Sequence, residues 1–404
     1  MCGIVGYLGN KDATSVILIG LERLEYRGYD SCGIASTNGS KIEVRKTVGR
    51  LPQLRALLAT NPLPSGAAIG HTRWATHGSV TERNAHPFVD CTGSLALVHN
   101  GVVENYEEIR RRLKKRRHHF SSDTDTEVIL HLIEDHYRAR NTGKNGLVGA
   151  VLAAARELRG SFAIGVISKD EPDMLIGVRR GSPLVVGFDG CECVLASDLL
   201  AMIGIARSVV TLEDQQVCLV RRDGIEVRDF GGHRKDVKPS SLELQARAIS
   251  RGRYRHFMRK EIFEQPGVLA HNLEQRLQNH EIILGSDFRL YPSDIRRLRQ
   301  IVVQACGTSY HAGLVGQIYF EEFSRLPTRV EISSELRSRK LLCDRGTLLV
   351  SISQSGETAD TLAALRLGIR SGVDTLSLVN VKRSSIDRES RSVIHLHAGP
   401  EIGV

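Results

Sequence analysis

No apolar run in this 404-residue chain approaches the ~18 residues of a membrane-crossing helix. No basic cluster precedes the apolar stretch of Met1-Cys2-Gly3-Ile4-Val5-Gly6-Tyr7-Leu8-Gly9, so it does not read as a secretory signal. Lacking an export signal, the cysteines at 2, 32, 91, 191, 193, 218, 306 and 343 are expected as thiols in a reducing compartment, the cytoplasm. Internal repeats and low-complexity tracts are absent as well. A composition of 41% hydrophobic and 25% charged residues excludes disordered, collagenous and disulfide-scaffold chains. The length predicts two or three domains with ample cores.

Positive charge is in excess, at a net +9. Part of it is concentrated in Arg110-Arg111-Arg112-Leu113-Lys114-Lys115-Arg116-Arg117. Charge alone gives only non-specific nucleic-acid affinity, and no RNA- or DNA-binding motif accompanies the run. Leu113 interrupts it and Glu107 and Glu108 precede it, so a solvated helix face is expected, with neither nucleic acid nor membrane as partner.

Up to about residue 235 the pattern is one of short β-rich runs broken by glycine. Examples are Gly160–Ile167, Met174–Val178, Leu184–Gly187, Cys193–Ala196 and Val217–Val220, which predict stacked sheets, with a helix at Val151–Leu158. Around Gly231–Ser250 the chain turns polar, with Pro239-Ser240-Ser241, which predicts a linker. Beyond it the rhythm changes. Ile301–Val303 leads to Gly307 and a helix at Leu314–Phe323; Thr347–Ile352 leads to Gly356 and a helix at Leu362–Ile369, followed by the strand Thr375–Val381. This is the βαβ signature of a parallel sheet.

Cys2 invites two interpretations. With Met1 removed, its thiol and a free α-amine of pKa ~7.7–8.0 would share one residue, giving a nucleophile with its own base; alternatively it is a structural cysteine in a first strand. Four further blocks decide between them: Leu24-Glu25-Tyr26-Arg27-Gly28-Tyr29-Asp30-Ser31, His71-Thr72-Arg73-Trp74-Ala75-Thr76-His77-Gly78, His99-Asn100-Gly101 and Thr124-Asp125-Thr126-Glu127. With Cys2-Gly3-Ile4-Val5-Gly6 they resemble the class II, N-terminal-nucleophile (Ntn) glutamine amidotransferases. The motif wording is most similar to the glutamine-fructose-6-phosphate aminotransferase (isomerizing) family, which makes glucosamine 6-phosphate.

That resemblance implies roles. Cys2 would be the nucleophile, supported by Arg27, with Asn100 and Gly101 as oxyanion donors. Arg73, Thr76, His77 and Asp125 would bind L-glutamine, Arg73 taking the carboxylate and Asp125 the ammonium. Trp74 would gate an ammonia channel. Taken singly, Arg73 is equally a surface charge, Asp125 a helix cap, Trp74 a core or pocket residue, and His77 and His86 structural. His118-His119 has no matching ligand cluster and Cys191-Glu192-Cys193 no second pair at zinc spacing, so no metal and no cofactor is expected.

In the second half, Ser351-Ile352-Ser353-Gln354-Ser355-Gly356-Glu357-Thr358 follows a strand and opens a helix, which suits an anion or an ordinary helix cap. It resembles the sugar-isomerase (SIS) domain of the same family, which assigns Ser353, Gln354, Ser355 and Thr358, with Thr308 and Ser309, to the phosphate of fructose 6-phosphate. Arg253–Met258 and Lys260–Pro266 resemble the segment joining the two halves. Other class II amidotransferases are disfavoured, since no nucleotide loop or phosphoribosyl-diphosphate motif follows residue 240.

The expected architecture is an α/β and α+β two-domain chain: an αββα Ntn-hydrolase glutaminase sandwich at 2–235, a linker with joining helices at 236–285, and a Rossmann-like SIS domain at 286–404. His397–Val404 resembles the junction with the family's second SIS domain. Glutaminase activity and sugar-phosphate binding are therefore expected of this chain without the synthase residues. The alternative is a non-catalytic sugar-phosphate-binding or regulatory product. The family forms homodimers, with much of the subunit contact beyond that junction. Departures from its pattern are Cys32, where a small residue is usual, Gln215, where glycine is, and a shortened loop near Lys382-Arg383.

Overall fold

Alternation along each short strand explains the first half of the chain. In Gly3–Leu8, Val5 and Tyr7 join one core while Ile4 and Leu8 join another, so this strand is buried on both faces. The computed structural model describes residues 2–75, 78–140, 146–242, 251–339 and 344–403. Thr76 and His77 lie outside the described residues. The chain divides into two compact units, Met1–Ile249 and Ser250–Val404.

The first unit stacks an eight-stranded antiparallel sheet, which has Gly3–Leu8 and Ala67–Arg73 at its centre, on a seven-stranded one that contains Leu95–Val103 and Gly160–Ser168. Ile4, Ile69, Val98, Ile167 and Leu195 fill the space between the sheets. Helices Ala13–Leu24 and Leu51–Thr60 cover the outer face of the first sheet. Asp125–Arg140 and Gly146–Glu157 cover that of the second. The result is a four-layer αββα sandwich, the architecture expected of this half of the chain.

The basic run belongs to the helix Tyr106–Lys115, whose Ile109 and Leu113 are buried against this core while the cations face outward. Arg112 pairs with Glu157 and Arg116 with Asp135, so part of the excess charge is locally neutralised. Gln215 occupies the left-handed region, with φ of +59°. A β-carbon there is strained by ~1–2 kcal/mol, so Gln215→Gly should raise stability by about 0.5–1 kcal/mol, less than the full strain because glycine also loosens the unfolded chain. A denaturant midpoint at or below that of the parent would count against this.

The polar segment expected as linker from residue 236 starts inside the first unit. Ser240–Ser241 pairs with Ser208–Val209 at the edge of the eight-stranded sheet, and Leu242 packs on its outer core. Residues 243–250 lie outside the described residues.

The second unit holds a five-stranded parallel sheet. With its strands numbered along the chain, their spatial order is 2-1-3-4-5. Ile301, Val303, Leu348 and Val350 face one core; Val302 and Leu349 face the other. Both faces are covered, as a parallel sheet requires. The chain reverses direction across the sheet between the neighbouring strands Gln300–Ala305 and Thr347–Ser353. In doubly wound folds, ligands bind beyond the carboxyl ends of the strands at such a switch point.

Candidate active site

Strand register assembles the first site. Gly3 pairs with Thr72, and Ser31 with Arg73, which brings Cys2 to the end of the strand carrying Arg73. The Trp74 backbone N–H donates to Cys2 Sγ at 3.2 Å, and the thiol in turn lies 3.4 Å from the Trp74 carbonyl. Burial pushes the Cys2 thiol up; the Trp74 backbone contact and the Arg73 charge oppose that shift, while Asp30 adds to it. Asp30 also accepts from the Ala75 N–H at 2.8 Å, fixing the turn that follows Arg73.

From the second sheet, Asn100 Nδ2 donates to the Cys2 carbonyl at 2.9 Å. His71 Nε2 is 3.0 Å from both Asn100 Oδ1 and the His99 carbonyl. Both partners are acceptors, so Nε2 carries the proton and the amide is locked with its N–H toward Cys2. Burial pushes the His71 imidazolium down to about 3, so the ring is neutral; it stacks on His86 at 4.0 Å. Gly101 has φ of +115°, and a β-carbon there would come 2.0 Å from the Ser161 carbonyl, which fixes glycine at this position.

Arg73 is 4% exposed, not a surface charge. Its guanidinium donates to the Gly78 and Ser79 carbonyls at 3.3 Å. Burial lowers its pKa while Cys2, Asp30 and Asp125 hold it up. Asp125 opens the helix Asp125–Arg140 and accepts from the Val103 N–H at 2.9 Å, tying helix to strand. The loop before the helix is held instead by Glu127, which accepts from the Ser121 and Ser122 N–H groups at 2.7 Å. Trp74 is 43% exposed and set edge-on to Tyr29, so it is not a core residue. Arg27 pairs with Asp198 and donates to Tyr26 Oη at 3.0 Å; among the described residues it makes no hydrogen bond to Cys2.

The second site forms at the switch point. Ser353 ends its strand, and Gly356 N donates to Ser353 Oγ at 3.0 Å. Ser353 Oγ and Thr358 Oγ1 lie 3.1 Å apart, and Glu357 N donates to Ser355 Oγ at 3.2 Å. Thr358 is the N-cap of the helix Ala359–Arg370. Thr308 and Ser309 sit in the first turn of the neighbouring helix Gly307–Ser324. Gly356 has φ of +63°, with no room for a β-carbon beside Ser384 Oγ. That buried hydroxyl has no hydrogen-bond partner among the described residues. The clustered hydroxyls and helix N-termini here suit a phosphate.

A glutamine amidotransferase domain profile matches residues 58–226, and a SIS domain profile residues 294–404. Over the whole chain, the glutamine-fructose-6-phosphate aminotransferase (isomerizing) of Streptomyces coelicolor is 44% identical, and that of Caldanaerobacter subterraneus 41%. The chain belongs to this aminotransferase family. It spans 65% and 66% of the length of those two relatives. A solved structure of the allosteric regulatory enzyme of purine biosynthesis is 20% identical, with a TM-score of 0.51 over 94% of this chain and 80% of that one; it shares the fold alone.

Within this aminotransferase-family chain, several partners escaped the sequence. His71 and Asp30 lie in the quoted blocks but carried no assigned role, because their part depends on registers between distant strands; Ser384 lies outside those blocks and meets Gly356 only through the fold. One expectation is corrected. His118 does have a matching cluster: the fold brings Cys91, His118, His131 and Glu134 together, with one donor atom of each within 4.8 Å of the others. Local spacing could not show it, since the donors come from a strand end, a loop and a helix.

Proposed function

We propose that this chain hydrolyses L-glutamine to glutamate and ammonia at Cys2 and binds fructose 6-phosphate at the Ser353–Thr358 loop. These would be the two ends of an amide-nitrogen transfer that makes glucosamine 6-phosphate. The observation that carries the glutaminase activity is the convergence of a thiol, a locked Asn100 amide, buried Arg73 and Asp125 on one edge of the sandwich. After removal of Met1, the α-amine takes the Cys2 proton, and the sulfur attacks the glutamine side-chain carbonyl. Asn100 and Gly101 hold the oxyanion. The α-ammonium passes the Cys2 proton to the departing nitrogen, the C–N bond breaks and ammonia leaves as a thioester forms; water then hydrolyses the thioester to glutamate and restores the Cys2 thiol.

In this scheme Arg73 takes the substrate carboxylate and Asp125 its ammonium, with Thr76 and His77 completing the pocket. Arg27 acts indirectly, bracing the segment through Asp198. Trp74 covers the ammonia exit, which matters because ammonia protonated by water is no longer a nucleophile. At the second site, Ser353, Gln354, Ser355, Thr358, Thr308 and Ser309 take the sugar phosphate. The residues that form the amino sugar are not among those assigned here. A cytoplasmic setting is part of the proposal, supported by seven cysteines free of disulfides among the described residues.

Incubating the chain with glutamine and measuring ammonia, glutamate and intact mass tests the first half. Equal ammonia and glutamate from protein that starts at Cys2 is the expected result. Fructose 6-phosphate binding without ammonia release would favour the non-catalytic alternative. For the second half, Thr358→Val should weaken fructose 6-phosphate about tenfold in calorimetry, the cost of one hydrogen bond to a charged group. Unchanged affinity would remove Thr358 from the site.

A further inference from the structure

The Cys91 cluster lies in the first unit, and none of its four residues takes part in the glutamine chemistry. Cys91 follows the strand Phe88–Val89, His118 lies in the loop after Tyr106–Lys115, and His131 and Glu134 share one face of Asp125–Arg140. His118 Nδ1 and His131 Nδ1 lie 3.0 and 2.8 Å from the same oxygen, Glu134 Oε2. Cys91 Sγ is 4.0 and 3.7 Å from those two nitrogens. Tetrahedral bonds of ~2.0–2.3 Å place donors ~3.3–3.7 Å apart, in the middle of these separations.

The surroundings are those of coordinating side chains. His118 Nε2 faces Asp135 Oδ1 at 3.4 Å and His131 Nε2 faces Glu127 Oε1 at 3.7 Å. At His118 the carboxylate on the outer nitrogen holds the proton there and turns the Nδ1 lone pair inward, the usual outer partner of a metal-bound imidazole; at His131 the Glu127 carboxylate faces the outer nitrogen beyond hydrogen-bond range. Arg138 pairs with Glu134 Oε1, leaving Oε2 for the centre. A simple ion pair would need one imidazole; here two rings and the Cys91 backbone N–H, at 3.4 Å, meet one carboxylate oxygen, with the Cys91 thiol within 4.8 Å of the same donors. His118, His131 and Glu134 are buried and only Cys91 is exposed, so an ion has an entry path.

We propose that Cys91, His118, His131 and Glu134 form a structural zinc site. One sulfur, two nitrogens and one oxygen suit zinc and not calcium or magnesium, which take mainly oxygen. A thiolate and a carboxylate balance the 2+ charge, and four protein donors close the shell, as in structural sites. The ion would clamp the strand end and the loop onto Asp125–Arg140. Through Glu127, which holds Ser121 and Ser122, the clamp extends to the start of that helix.

The test uses the full chain, reduced, stripped with a chelator and titrated with zinc against a chromophoric competitor, then with cobalt(II). One equivalent of zinc is expected, with a tetrahedral cobalt spectrum and a thiolate-to-cobalt band. Cys91→Ser, at the exposed rim, should keep the parent melting temperature without metal, lose that band and bind zinc at least about tenfold more weakly. Cys2→Ala should bind as the parent does. No stoichiometric zinc in the parent, parent-like affinity in Cys91→Ser, or loss of binding in Cys2→Ala would overturn the assignment.

Discussion

Cys2→Ala is expected to reduce ammonia release from glutamine by at least about 10⁴-fold, leaving only what the oxyanion donors and substrate binding provide. No neighbouring group can substitute for the sulfur. Cys32, the next thiol along the chain, is buried, and burial raises its pKa to about 12. The variant removes one atom at a strand end, so the melting temperature should stay close to that of the parent. Cys2→Ser should also be severely impaired, because the hydroxyl is far harder to deprotonate with an amine of pKa ~7.7–8.0. The parent rate should rise with pH through that same window as the amine loses its proton. Protein that retains Met1 has an amide nitrogen there and should be inactive; equal turnover by both forms would remove the amine from the mechanism.

The fold was legible where local pattern and tertiary structure agree. Short apolar runs between glycines became the two stacked sheets, and strand–glycine–helix units became the parallel sheet. Val302 and Val303 illustrate why patterning worked there: adjacent valines serve opposite cores of a sheet covered on both faces. Ser240–Ser241 shows where it failed. A polar pair beside proline has no strand signature, and its pairing comes from the exposed edge at Ser208–Val209. The site was legible only as separate blocks. Residue type left Cys2 open as nucleophile or structural cysteine, and the family resemblance implied the oxyanion pair and the carboxylate clamp, but their convergence depends on the Gly3–Thr72 and Ser31–Arg73 registers. His71 and the Cys91 cluster were invisible for the same reason, since their partners are near in space and distant in sequence.

The second large effect is expected at Asn100. Its amide is positioned before substrate arrives: Nδ2 points at the Cys2 backbone and Oδ1 accepts from His71. A donor held this way stabilises charge that appears only in the tetrahedral intermediate, so its loss should fall on kcat and spare KM. Asn100→Ala is expected to lower kcat by ~10²–10³ with KM within a few-fold of the parent. Asn100→Asp should be at least as damaging, because it presents an acceptor and a negative charge to the developing oxyanion. His71 is a positioning residue in this scheme. His71→Ala frees the amide to rotate and should cost about tenfold in kcat. Because the His71 ring is neutral, with burial holding its pKa at about 3, the parent rate should show no step from this histidine between pH 5 and 8. A kcat unchanged in Asn100→Ala would mean that the oxyanion is held by other donors and that the Asn100–His71 pair only joins the two sheets.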